Sequence, residues 1–103
     1  GAQPDGGLMV GLTNCIDPVD DADFNAWYDR VHAADVIRSP WFWNAQRYRK
    51  LDGDLPDYAA LYETTMGGSE ALKHYMSWPE RVSEMHPRIA NLHVWSFDFM
   101  ASL

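Results

Sequence analysis

Residues 21–50, DADFNAWYDRVHAADVIRSPWFWNAQRYRK, contain an amphipathic helix that is followed at once by an aromatic strand. Apolar side chains in residues 24–34 recur three and four positions apart, which is the spacing of a helix with one buried face. Ser39-Pro40 ends this helix, because the residue before a proline disfavours the helical conformation. Residues 41–50 then alternate in character, as in a strand.

The segment before this helix predicts a strand and a break. Residues 8–15 are short, apolar and compatible with a strand, with alternate side chains on opposite faces. Asp17-Pro18 interrupts the strand, and Asp20 or Asp21 can cap the helix that follows.

Downstream of the aromatic strand, the sequence predicts a hairpin and a second helix. An Asp-Gly-Asp turn and a proline within residues 51–57 lead into a third strand over residues 58–64. Ser69 is the predicted N-cap of the second helix, and Trp78-Pro79 interrupts that helix. A short helical turn is predicted over residues 79–87.

A fourth strand over residues 92–100 completes the order βαββαβ. This is the order of an α+β, ferredoxin-like fold, in which both helices cover one face of a four-stranded antiparallel sheet. Large apolar side chains lie on both faces of the strands, notably Leu92 and Val94 opposite Trp95 and Phe97. We therefore expect the face without helices to meet a second copy in a two-fold homodimer. The alternative is a monomer with a hydrated sheet face.

Length and composition restrict the classes of protein to which the chain can belong. Its 103 residues, 47% of them hydrophobic, fit a single domain over residues 8–103 after a flexible lead-in of residues 1–7. The net charge of −7 argues against nucleic acid and anionic membrane as partners. The single cysteine, Cys15, excludes an intrachain disulfide framework. No apolar stretch approaches the about 20 residues that span a bilayer, and residues 1–7 lack a signal-peptide pattern, so a cytoplasmic protein is expected.

The run DFNAWYDRVHAADV, residues 23–36, resembles the first-helix signature of the dimeric α+β barrel superfamily, and most closely its EthD-like branch. The resemblance extends to a strand that ends in Gln46-Arg47-Tyr48-Arg49 and to the strand segment Ala60-Leu61-Tyr62-Glu63. It implies a dimer whose two sheets pack into a dimeric α+β barrel, with a small-molecule cavity between sheet and helices in each subunit. Polyketide cyclases, muconolactone-type isomerases, dehydratases and haem-degrading monooxygenases share this fold, so the resemblance does not select one reaction.

His32 is the main candidate for a catalytic acid or base. On a helix its neighbours three and four positions away are Tyr28, Asp29 and Asp35. A histidine beside a carboxylate and a phenol suits proton abstraction next to a carbonyl group at neutral pH. We therefore predict His32, Tyr28, Asp29 and Asp35 as the catalytic set. The alternative is a half-buried histidine that pairs with an acid for helix stability only.

The predicted ligand is an apolar or aromatic small molecule, because the strands next to this helix are rich in aromatic residues. The residues predicted to contact it are Trp41, Trp43, Tyr62 and Asn14. The alternative for the tryptophans is packing in the core or in a dimer interface.

No cofactor or metal is predicted from the motifs. The histidines show none of the H-x-H, H-x-x-x-H or H-E-x-x-H spacings, and Gly67-Gly68 lacks the lysine of a phosphate loop. Asn14 on the first strand and His74 on the second helix loosely resemble the asparagine and axial histidine of the haem-degrading branch.

The sequence thus predicts a small cofactor-independent enzyme that carries out proton transfer on an apolar, oxygenated, cyclic metabolite, as a cyclase, dehydratase or isomerase. Two alternatives remain open at this point. One is a non-catalytic ligand-binding or accessory barrel protein. The other is a haem-degrading or cofactor-independent monooxygenase.

Overall fold

The computed structural model describes residues 6–15, 17–54, 56–82 and 89–101. The strands are β1 (Gly7–Cys15), β2 (Phe42–Arg49), β3 (Tyr58–Thr64) and β4 (Ile89–Asp98), and the helices are α1 (Asp21–Trp27), α2 (Ala33–Arg38) and α3 (Gly68–Met76). A 3-10 turn over Pro18–Asp20 precedes α1, and a π-helical turn over Tyr28–His32 joins α1 to α2. We call residues 21–38 the first helical segment.

The strands form one antiparallel sheet in the order β2-β3-β1-β4, with the helices packed on one of its faces. This arrangement confirms the predicted α+β class and is consistent with a ferredoxin-like fold. Strand β1 is central, since it pairs with β3 from Gly7↔Thr64 to Thr13↔Tyr58 and with β4 on its other side. From Gly7 to Leu12, β1 is paired on both sides, so these residues lie in the middle of the sheet.

Several predicted boundaries shift in the structure. Strand β1 begins at Gly7, inside the predicted lead-in, while residues 1–5 lie outside the described residues. Asp20 is the N-cap residue of α1, as predicted, although its side chain makes no capping hydrogen bond. The capping side chain in this region is that of Asp17, whose carboxylate accepts a hydrogen bond from Val19 N at 3.1 Å at the start of the 3-10 turn. Of the helical turn predicted over residues 79–87, residues 83–88 lie outside the described residues.

The core lies between the sheet and the helices and is mostly aromatic. The pairing register puts Met9, Ala60 and Tyr62 on the face that the helices cover, and all three are buried. Phe24 of α1 is fully buried and meets the ring of Tyr28 at a centroid distance of 5.8 Å. Burying large aromatic side chains in this way is the main favourable contribution to folding.

No described helix covers the opposite face of the sheet, and the part of that face formed by β1 and β4 is largely apolar. Val10 of β1 pairs with Trp95 of β4, and Leu8 pairs with Phe97, so these four side chains share that face. Trp95 and Phe97 are 46% and 51% exposed in the single chain. Contiguous exposed apolar side chains of this size are typical of an interface.

The start of α3 explains why the predicted N-cap at Ser69 was wrong. The N-cap residue is Gly67 and the helix begins at Gly68, two residues before the start that a Ser69 N-cap predicts. At Gly68 the backbone of the helix lies directly on the sheet. A Cβ atom on Gly68 would be 2.6 Å from the carbonyl oxygen of Leu8 and 3.1 Å from Phe97 N. Only glycine permits this close approach of helix and sheet.

Gly68→Ala is expected to destabilise the protein by about 1–3 kcal/mol, because the added methyl group pushes α3 away from β1. Chemical denaturation of the native protein and the variant measures the loss. Gly67→Ala is the matched control, since its methyl group would meet only the carboxylate end of the exposed Asp98 side chain, which can move. Equal losses in the two variants would contradict this account of the close approach.

Candidate functional site

A cavity of about 270 Å³ lies between the helix-covered face of the sheet and the helices. Its described walls come from β1, β3, β4, the first helical segment and α3. The lining residues are Met9, Gly11, Trp27, Tyr28, His32, Val36, Tyr62, Leu72, Tyr75, Met76, Leu92 and Val94. Among these lining residues there is no Asp, Glu, Lys or Arg, although the chain carries a net charge of −7.

The π-helical turn brings three aromatic rings of the first helical segment together. The backbone N–H of Ala33 donates to the carbonyl of Tyr28, five residues earlier, in place of the four-residue step of an α-helix. In an α-helix, two residues five positions apart are separated by about 1.4 turns, so their side chains point in different directions. In the π-helical turn, the same five residues close about one turn, and the two side chains point the same way. Trp27 and His32 therefore stack at a centroid distance of 5.2 Å, and Tyr28 meets the His32 ring edge-on at 5.1 Å.

Two tyrosine hydroxyl groups form the polar end of the cavity. Tyr62, from β3, donates a hydrogen bond to the hydroxyl oxygen of Tyr28 at 3.3 Å, and its ring lies 6.4 Å from the ring of His32. Burial raises the pKa of Tyr28 and raises the pKa of Tyr62 well above its usual value. Both phenols are therefore protonated at neutral pH and remain hydrogen-bond donors.

His32 is a neutral imidazole in this setting. Burial lowers its pKa to about 4, and the positive charges of Arg47 and Arg81 add to this effect, while the negative charge of Asp35 opposes it. At pH 7 the ring therefore carries a proton on one of its two nitrogens and none on the other. The predicted proximity of Tyr28 and His32 is thus confirmed, and the environment that surrounds them is apolar.

Asp35 is buried outside the lining of the cavity and holds neighbouring elements together. Its carboxylate is 3% exposed and accepts hydrogen bonds from Arg38 at 2.8 Å, from the Tyr75 hydroxyl at 2.8 Å and from Val82 N at 3.2 Å. These bonds attach α3 and the chain after it to the first helical segment. Asp35 also acts on His32 through its charge, so its predicted association with that histidine has an electrostatic basis.

Asp29 lies on the solvent side of the first helical segment. It pairs with Arg47 at 2.9 Å, and Arg47 also donates to Asn25 at 2.9 Å. The Arg47 guanidinium rests 4.2 Å from the centre of the Tyr28 ring, where its charge opposes the rise in the Tyr28 pKa. Asp29 therefore fixes the cation behind Tyr28, and its catalytic role stays a prediction.

Three of the residues predicted to contact the ligand lie elsewhere. Trp41 precedes β2 and stacks on His74 at a centroid distance of 5.2 Å. Trp43 is exposed at an irregularity in the pairing of β2 with β3. Asn14 accepts a hydrogen bond from Asp57 N at 2.6 Å and thereby holds the loop between β2 and β3. Of the predicted wall residues, Tyr62 is the one that lines the described cavity.

The pair of Asn14 and His74 is not brought together either. Asn14 is at the end of β1 that adjoins Tyr58, whereas the Trp41 that stacks on His74 is bonded to Thr65 beyond the other end of β3. The length of β1 thus separates the two residues. In the described part of the chain, no group of three acidic, histidine or cysteine residues is arranged to hold a metal ion.

Comparisons with protein-family models, with curated proteins and with solved structures find no match to this chain. The fold and the cavity define the class of the protein: an α+β protein, consistent with a ferredoxin-like fold, that has an apolar cavity between its sheet and its helices. Over the described residues, none of the helices has both the length and the apolar character that crossing a bilayer requires.

The free energy of unfolding should fall as the pH decreases from about 6.5 to about 4 because of His32. The unfolded chain binds a proton with an imidazole pKa of about 6.5, whereas the folded protein binds it with a pKa of about 4. Between these values the unfolded state binds more protons, so acid favours unfolding, and above about pH 6.5 the contribution is fully present. His32 accounts for a loss of up to about 3 kcal/mol.

Urea unfolding of the native protein and of His32→Gln, at about pH 7 and about pH 4.5, measures this contribution. The native protein should lose more stability between the two pH values than the variant does. His74→Gln is the control, since His74 stacks on Trp41 with nearly the same geometry outside the cavity. Identical losses in the native protein and His32→Gln would show that the imidazole is not buried in its neutral form.

Proposed function

We propose that this cavity is the active site of a small cofactor-independent enzyme that transfers a proton on an apolar, oxygenated, cyclic molecule, as a cyclase, dehydratase or isomerase. The observation that carries the proposal is the convergence of one neutral imidazole and two protonated phenols on an apolar cavity. Such a set offers a proton acceptor and hydrogen-bond donors to the same small molecule.

His32 is the base in this proposal. Its unprotonated nitrogen takes a proton from a carbon next to a carbonyl group of the substrate, and negative charge then develops on the carbonyl oxygen. Between apolar walls, that charge attracts the newly formed imidazolium more strongly than it would in bulk water, which offsets the low pKa of the resting ring. Asp35 stabilises the same imidazolium, since its charge raises the His32 pKa.

Tyr28 is the donor to the substrate oxygen. Because Tyr62 donates to the oxygen of Tyr28, the Tyr28 proton is free to point into the cavity. The two hydroxyls act as a chain, in which each bond polarises the next. Arg47 on the outer face of the Tyr28 ring favours negative charge on this phenol and so strengthens it as a donor.

The substrate of this site is uncharged. Burying a carboxylate or phosphate beside walls without a cationic side chain costs several kcal/mol, at about the scale of an unpaired buried ion. A ring with a carbonyl or hydroxyl group satisfies the polar end and fills the apolar walls.

A non-catalytic binding barrel is the second candidate, and one observation favours it. A histidine pKa of about 4 makes a weak base at neutral pH, because a general base works best near the operating pH. Binding without proton transfer would distinguish this candidate from the enzyme.

We also propose that the helix-free face of the sheet forms a two-fold homodimer. The apolar side chains of β1 and β4 on that face, including Val10, Trp95 and Phe97, would be covered by the same residues of a second copy. The cavity lies on the opposite side of the sheet, so dimerisation leaves the proposed active site accessible.

Exchange of hydrogen for deuterium in 2-tetralone, a neutral bicyclic ketone, tests the enzyme proposal directly. Proton NMR in D₂O follows loss of the hydrogens next to the carbonyl group. The native protein should accelerate the exchange, and His32→Gln should lower the rate by about 10²- to 10⁴-fold because the acceptor is gone. Tyr28→Phe should lower it by about 10²-fold or more because the oxyanion loses its donor.

Folding and specificity are checked in the same series. His74→Gln should exchange at the native rate, and circular dichroism should show that all variants are folded. If the native protein binds 2-tetralone without accelerating exchange, the binding barrel replaces the enzyme as the function.

Trp95→Glu should convert the dimer into a monomer, because a carboxylate cannot be buried unpaired in the apolar interface. Size-exclusion chromatography with light scattering measures the mass in solution. Val19→Glu is the control, since Val19 is 82% exposed at the 3-10 turn, away from the sheet face. A native protein that is monomeric at all concentrations would overturn the dimer.

A further inference from the structure

Gly11 occupies an unexpected place for a glycine. It lies in the middle of the central strand β1, where it pairs with Ala60 on one side and Val94 on the other, and it lines the cavity. Glycine in the interior of a strand weakens folding, because it loses more conformational freedom than other residues and packs no side chain. A glycine at this position therefore indicates a local requirement that a larger residue would not meet.

Neither the backbone nor the packing supplies that reason. Gly11 is not among the described glycines with a positive φ angle. A Cβ atom at this position would meet the Tyr28 hydroxyl at 3.8 Å, an ordinary contact distance. At Gly68, by contrast, a Cβ atom would lie 2.6 Å from a backbone oxygen. A side chain at Gly11 would therefore fit the fold and would project into the cavity.

We propose that Gly11 is the specificity-determining position of the cavity: its lack of a side chain leaves the space in which the ring of a neutral, flat ligand lies against β1. The inference rests on the proposed function, since it concerns the ligand of the same site. Gly11 is the part of the cavity wall that limits the size of the ligand, and its surroundings set the orientation of the ligand.

The orientation follows from what surrounds Gly11. A Cβ atom at Gly11 would lie 3.8 Å from the Tyr28 hydroxyl, so a ligand ring in this space carries its oxygen beside Tyr28, where the oxygen can accept the Tyr28 proton. Met76, Leu92 and Val94 also line the cavity but are exposed, which marks the side where the cavity meets solvent. The oxygen of the ligand thus lies deep, and its apolar end points toward this opening.

The volume restricts the ligand further. At about 270 Å³ the cavity is near the lower limit of the about 300–1,000 Å³ of small-molecule sites. One ring or two fused rings with one oxygen substituent are of this size. 2-Naphthol is a suitable probe, because it is flat, bicyclic and neutral, and it has the shape of an enol of 2-tetralone.

The test compares 2-naphthol with phenol on the native protein, Gly11→Ala and Gly11→Val, with binding followed by calorimetry or by naphthol fluorescence. Gly11→Val should weaken 2-naphthol binding by about tenfold or more, as expected for overpacking a filled site, and should change phenol binding by less than about threefold. Gly11→Ala should give an intermediate effect. Both variants should melt at or above the native temperature, because they fill space and stiffen a strand.

Ala59→Val is the matched control. Ala59 of β3 pairs with Leu12 of β1. Because Ala59 is next to Ala60, whose side chain faces the helices, the Ala59 side chain lies on the sheet face away from the cavity. This variant should bind both probes as the native protein does. The inference fails if Gly11→Val binds 2-naphthol normally, if the native protein binds neither probe, or if both Gly11 variants lower the melting temperature.

These outcomes are separate from those of the proposed enzyme. If 2-tetralone exchange is absent but 2-naphthol binding depends on Gly11 as described, the proton-transfer function fails and the assignment of Gly11 stands. If exchange depends on His32 but 2-naphthol binding is unaffected by Gly11→Val, the enzyme stands and the assignment of Gly11 fails. 2-Naphthoate, which has the same rings with a negative charge, should bind more weakly than 2-naphthol to all variants.

Discussion

The hydrogen bond from Ala33 N–H to the Tyr28 carbonyl is the constraint on which the cavity depends. By spanning five residues, it widens one turn of the first helical segment and turns Trp27, Tyr28 and His32 toward one another. A regular α-helix would keep Tyr28 and His32 on one face but would turn Trp27, five positions before His32, away from that histidine. The π-helical turn thus interrupts the regular helix and clusters aromatic side chains above the sheet. Such turns are frequent at functional sites.

Burial then determines the chemistry of the cluster. The same removal from water lowers the pKa of His32 and raises those of Tyr28 and Tyr62, so all three groups are uncharged at neutral pH. The nearby charged side chains lie outside the cavity lining. Arg47 lies against the outer face of the Tyr28 ring, and Asp35 accepts a hydrogen bond from Tyr75 between the helices. The cavity surface is therefore neutral, while fixed charges outside it can respond to charge that develops during a reaction.

Much of the fold follows from periodicity along the chain. Residues 24–34 have the spacing of a helix with one buried face, and residues 92–100 alternate, so the order βαββαβ could be predicted and is confirmed. The proximity of Tyr28 and His32 follows from the same spacing, because residues four apart on a helix are neighbours. Trp43 and Asn14 show what the pattern along the chain cannot predict. Whether a strand residue faces a cavity depends on the pairing register, and the pairing is irregular at Trp43 and next to Asn14.

By itself, then, the sequence determined the class of fold, the aromatic character of the first helical segment and the pairing of a phenol with an imidazole, because these depend on contacts between residues close along the chain. The tertiary structure alone decided that Tyr62 completes the polar end, that Asp35 holds α3 and that Gly11 leaves space beside Tyr28. These contacts join residues far apart in the chain. They exist only once the sheet register and the π-helical turn have set the distance between helices and strands, and no local pattern encodes that distance.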